Sequence, residues 1–531
     1  MRERLVEDWL TRINERGYES SFCQTLISQG YRICRCGHSP IEHGKDVLAI
    51  SPEGAVCAYQ LKTGDFGQSD FARCRDQIIT LVETLPTHPS LPAQYEYKPY
   101  FVTTGEFKDP AVSLVNEYNT SWQKRNLPTL HLISGRHLLA DFIRLSLDFW
   151  PVEAPDVRRF RELYLVDGRG DFDIEQFARF ITEILRDIKS GLDLKRRVAA
   201  ANLFSSYLLG DFYKQNDHWS VLQGWTVCAA QIAWAGLSGN HPVANWVDSC
   251  KIAQNAAFAA LESLAKEVLT EKAFAVKDRE LDEFVRTRNT VAISAAACWQ
   301  LISNRHNPQT TDFQSTVHLL EDYLKRGRLY FWGEGALSQF LIFFWMLEQG
   351  GKRATACSLL LDWIKAVTQK NARLSENPID DPYNSPDECL AKMIGKLLPG
   401  DPSRPQAVES YSLFPSILLA VRRNLREQLN IIWKPITNVS LAMFRPEAPE
   451  DALLWHCKKG KEYAEGFARP QSWIELRKMA FKDDRERVPK VLQDDVDFAL
   501  LYSLVFQHRI LRSLIKFLDD EFGKNIQRND T

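Results

Sequence analysis

Asp46, Gln60 and Lys62 stand at the ends of apolar runs in GKDVLAISPEGAVCAYQLK, residues 44–62, where a strand usually carries Val or Ile. Asp46 heads the first run, and Gln60 and Lys62 close the second. Side chains alternate along a strand, so Gln60 and Lys62 project from one face and Tyr59 and Leu61 from the other. Between the runs lies Ser51-Pro52-Glu53-Gly54, a turn-forming sequence that suits a hairpin and would return Asp46 to the neighbourhood of Gln60 and Lys62. Upstream, Glu19 falls three and four residues before Phe22 and Cys23, on the inward face of a helix, where an acid needs a partner. Two carboxylates and an amide oxygen are hard donors of the kind Mg²⁺ or Mn²⁺ prefers. A neighbouring ammonium can orient or help deprotonate a water there and offset charge on a phosphate. The chemistry implied is metal-dependent hydrolysis of a phosphodiester.

These residues need elements to position them. Helical spacing of Leu5, Trp9 and Ile13 predicts a helix over 4–15, and Phe22, Cys23, Leu26 and Ile27 a second over 19–28. A short strand over 31–36 follows Gly30, then the two runs of the hairpin. Ser69 or Asp70 can cap a helix carrying Phe71, Cys74, Ile78, Leu81 and Leu85, which Pro86 ends. Strands over 100–104 and 129–133, separated by a variable segment, precede a helix reaching about residue 149. The expectation is an α/β domain over 1–149, a mixed central sheet flanked by helices.

Beyond residue 150 the period lengthens to that of helices, as in Ile174, Phe177, Ile181, Ile184 and Ile188, with Asp173 and Gln176 resembling a capping box. A helical domain over 150–370 is expected, with helices about 195–237, 245–271, 279–304, 311–326, 336–349 and 353–369. A Pro-rich connection over 371–415 and a C-terminal helical region over 416–531 complete a large all-α remainder.

Composition narrows the class. With 531 residues, 45% hydrophobic and 25% charged, the chain reads as multidomain and globular. No apolar run approaches the roughly 20 residues of a bilayer span, and the opening MRERLVEDWL lacks a signal-peptide core. Eleven irregularly spaced cysteines fit reduced thiols in the cytoplasm. The formal net charge of −2 weighs against a broadly basic nucleic-acid binder, and local clusters such as Lys195-Arg196-Arg197, Arg422-Arg423 with Arg426, and Lys458-Lys459 with Lys461 read as solvated helix faces. Cys34-Arg35-Cys36-Gly37-His38 lacks zinc-knuckle spacing and reads as a strand with two buried cysteines. His43 reads as a loop residue, and Asp65 and Asp70 as a loop acid and a helix cap. Neither a Walker loop nor a G-x-S-x-G elbow is present.

The order of Glu19 in a helix, Gly44-Lys45-Asp46, Gln60-Leu61-Lys62, a helix and a later strand resembles the PD-(D/E)XK nuclease superfamily. More closely it resembles the restriction-endonuclease-like Mrr branch, with its G-x-D and Q-x-K strands, and the likeness extends to Phe22, Leu26, Gly30-Tyr31 and Leu132-Ile133-Ser134-Gly135. It covers about residues 15–147. The resemblance implies Asp46 as principal metal ligand, Gln60 in the place of the second acid, Lys62 as catalytic lysine and Glu19 as supporting helix acid. Gln60 departs from the usual Asp or Glu, which removes one charge from the metal site. On this resemblance the chain is expected to be a Mg²⁺- or Mn²⁺-dependent DNA endonuclease acting in restriction or antiphage defence. It would work as a homo-oligomer, with a partner protein of a defence system as a further possibility, and the helical region would recognise, oligomerise or regulate. The alternatives are a non-cleaving nucleic-acid-binding sensor or scaffold, and a nuclease acting on RNA.

Overall fold

The first corner of the chain is made by Asn14, whose side-chain oxygen accepts the N–H of Gly17 at 2.8 Å and caps the helix that follows. The cap separates α1 (Arg2–Arg12) from α2 (Glu15–Ser28), so α2 begins four residues earlier than the apolar spacing alone indicates. The computed structural model describes residues 2–36, 45–88, 90–146, 154–166, 168, 170–271, 282–308, 311–327, 334–372, 409–455, 461–467, 472–506 and 510–523. They divide into two compact units, residues 1–260 with 453–456, and residues 261–452 with 457–531.

In the first unit β1 (Arg32–Cys36), β2 (Val47–Ile50), β3 (Val56–Lys62), β4 (Tyr97–Thr103) and β5 (His131–Ile133) form one sheet in sequence order. β1, β2 and β3 are antiparallel neighbours, while β3, β4 and β5 run parallel, giving a mixed sheet. The hairpin between β2 and β3 forms as its residues dictate: the N–H of Ser51 donates to Ala55 O at 2.8 Å, and Gly54 takes a φ of 90° that an L side chain rarely adopts. Parallel pairing requires crossovers. They are supplied by α3 (Gln68–Glu83) and α4 (Asp109–Lys124), the latter filling the segment between the last two strands. α5 (Gly135–Ser146) follows β5.

Leu48, Val56, Ala58 and Phe101 pack with Phe71, Ile78 and Leu81 of α3 and with Val115 and Trp122 of α4. Tyr59 meets Phe22 of α2 edge to face at 5.1 Å, so α2 and α3 carry opposite faces of β3. The unit continues through α6 (Ala154–Tyr164), α7 (Ile174–Ile184), α8 (Gly191–Lys214), α9 (His218–Ser238) and α10 (Val247–Glu271), the last crossing the division. The expected helical span 195–237 is broken at Asn216, whose φ of 56° ends α8, while Asp217 caps α9. α2 packs along α8, with Trp9 of α1 donating from its indole to Ser206 O at 3.2 Å.

The second unit holds α11 (Asp282–His306), α12 (Thr311–Lys325), α13 (Leu337–Gln349), α14 (Arg353–Ala372), α15 (Leu413–Arg422), α16 (Arg426–Ile436), α17 (Trp473–Phe481), α18 (Lys490–Asp494), α19 (Val496–Val505) and α20 (Arg512–Phe522). It is mostly helical rather than all-α. β6 (Glu409–Ser410), β7 (Ser440–Arg445) and β8 (Lys461–Phe467) make a small sheet. The strand KEYAEGF is rich in Lys, Glu, Ala and Gly, which are poor strand formers, so neighbouring backbone decides its state. Arg422 and Arg423 are not a solvated helix face. Arg423 is buried between Glu348, at 2.9 and 2.6 Å, and Asp519, at 2.6 and 2.5 Å. Among the described residues, no helix is long and apolar enough to cross a membrane.

Candidate active site at the end of the mixed sheet

Asp46 sits one residue before β2, yet its backbone already belongs to the ladder, its N–H donating to Tyr59 O at 2.9 Å. Val47 pairs with Tyr59, so the same register sets Asp46 opposite Gln60 on the face covered by α3. One carboxylate oxygen of Asp46 accepts the N–H of Leu61 at 2.7 Å, which fixes the acid between the positions of Gln60 and Lys62. Asp46 and Gln60 are both buried. The hairpin register thus sets the backbone positions of three of the four expected residues side by side at one end of the sheet.

The amide of Gln60 is oriented by a residue that the sequence pattern does not single out. Its Nε2 donates to Oε1 of Gln77 on α3 at 3.3 Å, and its own Oε1 is buried with no hydrogen-bond partner. A buried carbonyl oxygen without a donor costs about 1–3 kcal/mol, and such groups are rare. Gln77 therefore holds the Gln60 amide by its nitrogen, and the amide oxygen is left unsatisfied. The signal of Gln77 in the sequence is only its position two turns into α3, one residue before the core residue Ile78.

Lys62 is engaged by Glu15, not by Glu19. Its Nζ lies 3.2 Å from each oxygen of Glu15, and the pair is partly exposed. Glu15 opens α2 because Asn14 caps it, and an Asn before an acid is the cue that reveals it. Glu19, one turn further along α2, is buried. Tyr18 lies between them and donates its hydroxyl to Lys62 O at 2.9 Å, tying α2 to the end of β3. Its pKa is pushed far upward, first by burial, then by the charges of Glu15 and Asp46, with a smaller push from Glu19. Three carboxylates, two from α2 and one from the start of the hairpin, therefore bear on one phenol. Lys45, beside Asp46, is buried, and burial brings its ammonium down to about 8.

Asp65 and Asp70 have structural duties. Asp65 accepts the N–H of Glu106 at 3.0 Å and pairs with Lys108 at 2.6 Å. Asp70 accepts the N–H of Gly67 at 3.0 Å from inside α3, which starts earlier than a cap at Ser69 or Asp70 would place it. Cys34 lies on β1 and is half-buried, while Gly37, His38, His43 and Gly44 fall outside the described residues, as does the side chain of Cys36.

Among the described residues, no three His, Cys, Asp or Glu side chains gather closely enough to hold a metal ion by themselves. A cation at this site would need the Gln60 oxygen as a ligand beside the carboxylates, and the orphaned Oε1 fits that need. No protein-family model, characterised protein or solved structure matches the chain.

Proposed function

We propose that the chain is a metal-dependent endonuclease that hydrolyses DNA phosphodiester bonds. The observation that carries the reading is the buried Gln60 oxygen, without a donor, held opposite Asp46 and one strand repeat from Lys62. A Mg²⁺ or Mn²⁺ held by Asp46, Gln60 and Glu19 would withdraw charge from a phosphate and acidify a water beside it. Asp46 is held in place by the Leu61 N–H, so its orientation is set before any substrate arrives. Gln77 holds the Gln60 amide by its nitrogen, which leaves the unsatisfied oxygen available to a metal ion. Lys62 supplies the ammonium that offsets charge on the phosphate and holds or moves a proton of the attacking water. Glu15 holds that ammonium in place and competes with the phosphate for it.

The resemblance to Mrr-like nucleases supports a role in restriction or antiphage defence. With one site per chain, cutting both strands is simplest for a homo-oligomer. The helical remainder would then recognise, assemble or restrain, alone or with a partner protein. The test is incubation of the purified protein with plasmid and with structured RNA, in Mg²⁺, Mn²⁺ or EDTA, alongside Asp46→Ala and Lys62→Ala. Plasmid cleavage that needs metal and falls by at least ~10²-fold in both variants is expected. Cleavage that persists in both would sink the assignment. Binding without cutting would point to a sensor or scaffold, and cutting confined to RNA would change the substrate.

A further inference from the structure

Lys62 leaves β3 on the face of Gln60, which α3 covers, whereas Glu15 comes from the first turn of α2 on the opposite face. Their ion pair therefore closes across the end of the sheet. Both carboxylate oxygens of Glu15 stand 3.2 Å from Nζ, and the Cys74 thiol of α3 senses the two charges, which puts the pair within reach of both helices.

The contact is built into α2. Asn14 fixes the start of the helix, and Tyr18, one turn after Glu15 and fully buried, donates its hydroxyl to Lys62 O at 2.9 Å. The helix thus grips Lys62 twice, by its carbonyl and by its ammonium. Glu15, Glu19 and Asp46 all bear on Tyr18, so a phosphate arriving here meets like charge, and the ammonium it needs is taken. Yet the two side chains are 19% and 34% exposed, and partly exposed pairs of this kind are weak enough to open.

We infer that Glu15 is a latch on this site: it occupies Lys62 in the resting protein, and a substrate phosphate reaches the ammonium by displacing the carboxylate. The inference rests on the nuclease reading for the identity of the substrate, while the Glu15–Lys62 contact does not. A carboxylate that instead positioned Lys62 for the reaction would have the opposite signature, since its loss would lower kcat rather than KM.

Wild type, Glu15→Gln, Glu15→Asp, Lys62→Gln and the double variant Glu15→Gln/Lys62→Gln are titrated into a fluorescein-labelled DNA duplex in EDTA, where nothing is cut, and anisotropy gives the affinity. Glu15→Gln should bind about fivefold tighter than wild type, and Glu15→Asp, which keeps the charge but retracts it by one methylene, about twofold tighter. In the Lys62→Gln background the gain from Glu15→Gln should disappear, because no ammonium is left to release. With plasmid in Mg²⁺, Glu15→Gln should lower KM by a similar factor without loss of kcat. The latch is overturned if Glu15→Gln binds no tighter, if its gain survives in the Lys62→Gln background, or if kcat falls. A wild type that binds the duplex but cuts no nucleic acid sinks the nuclease reading alone, and the comparison in EDTA then still decides the latch. If wild type and Glu15→Gln both ignore the duplex, the two fall together.

Discussion

Lys45 and Lys62 flank the same hairpin acid in opposite electrostatic conditions. Lys62 has Glu15 at 3.2 Å, whereas Lys45 is buried and burial alone brings it down to about 8. In the unfolded chain a lysine keeps its proton to about pH 10.4. Between about 8 and that value the unfolded state binds more protons, so stability rises with pH across this window, and the penalty is fully present below about 8. Lys45→Met should therefore stabilise the protein at pH 7 by on the order of 1–2 kcal/mol, with the gain shrinking toward pH 10. Urea unfolding of both proteins at the two pH values measures it, and an equal gain at both would assign the effect to packing. Gln60 gives the complementary prediction. Gln60→Glu places a second buried carboxylate opposite Asp46, so the metal-free variant should lose ~1–3 kcal/mol. Mn²⁺ should then raise its melting temperature more than it raises that of the wild type. An unchanged response to Mn²⁺ would count against Gln60 as a ligand.

At the level of elements, the site depends on where α2 lies, and that is set by a close approach between α1 and α8. A Cβ on Gly210 of α8 would come within 2.8 Å of Ile13 Cδ1 and 3.0 Å of Trp9 Nε1. Gly210→Val should thus cost ~1–3 kcal/mol through overpacking and push α1 away from α8. Because Asn14 joins α1 directly to α2, the Glu15–Lys62 pair should loosen with it, and proton exchange at the Lys62 ammonium, followed by NMR, should quicken. The hairpin was legible because turn residues and alternation agree there, so Asp46, Gln60 and Lys62 could be placed from the sequence. α2 was legible in kind but not in extent. Its apolar stripe marks the buried face, while its start depends on one capping hydrogen bond, and with the first turn went Glu15. α4 escaped notice although Asp109-Pro110 and the stripe Ala111, Val115, Trp122 announce it. Gln77 was out of reach, since it is itself exposed and nothing local marks which exposed polar residue of α3 bonds to β3.

On the scale of the whole molecule, the sheet does not stop needing support at residue 149. α2 shows a polar back, with Ser20, Ser21, Gln24 and Thr25 all buried. Gln24 accepts from Ser249 Oγ at 3.1 Å, and Asn202 of α8 donates to Ser249 O at 3.0 Å, so α2, α8 and α10 share one buried chain of hydrogen bonds. Trp9 adds an edge-to-face contact with Tyr207 at 4.6 Å. A fragment of residues 1–149 would keep the sheet but strip this surface, leaving Trp9 and Ile13 without their α8 neighbours along with the polar groups that α8 and α10 satisfy. Deprived of both the apolar area and the partners, such a fragment should lack a cooperative melt, whereas residues 1–260 should show one. Circular dichroism melts of the two fragments at equal concentration decide the matter. A sharp, reversible transition in the shorter fragment would mean that α8 and α10 are accessory. Its absence, with a transition in the longer one, would mean that the helices following the sheet hold α2, and with it Glu15 and Glu19, at the end of β3.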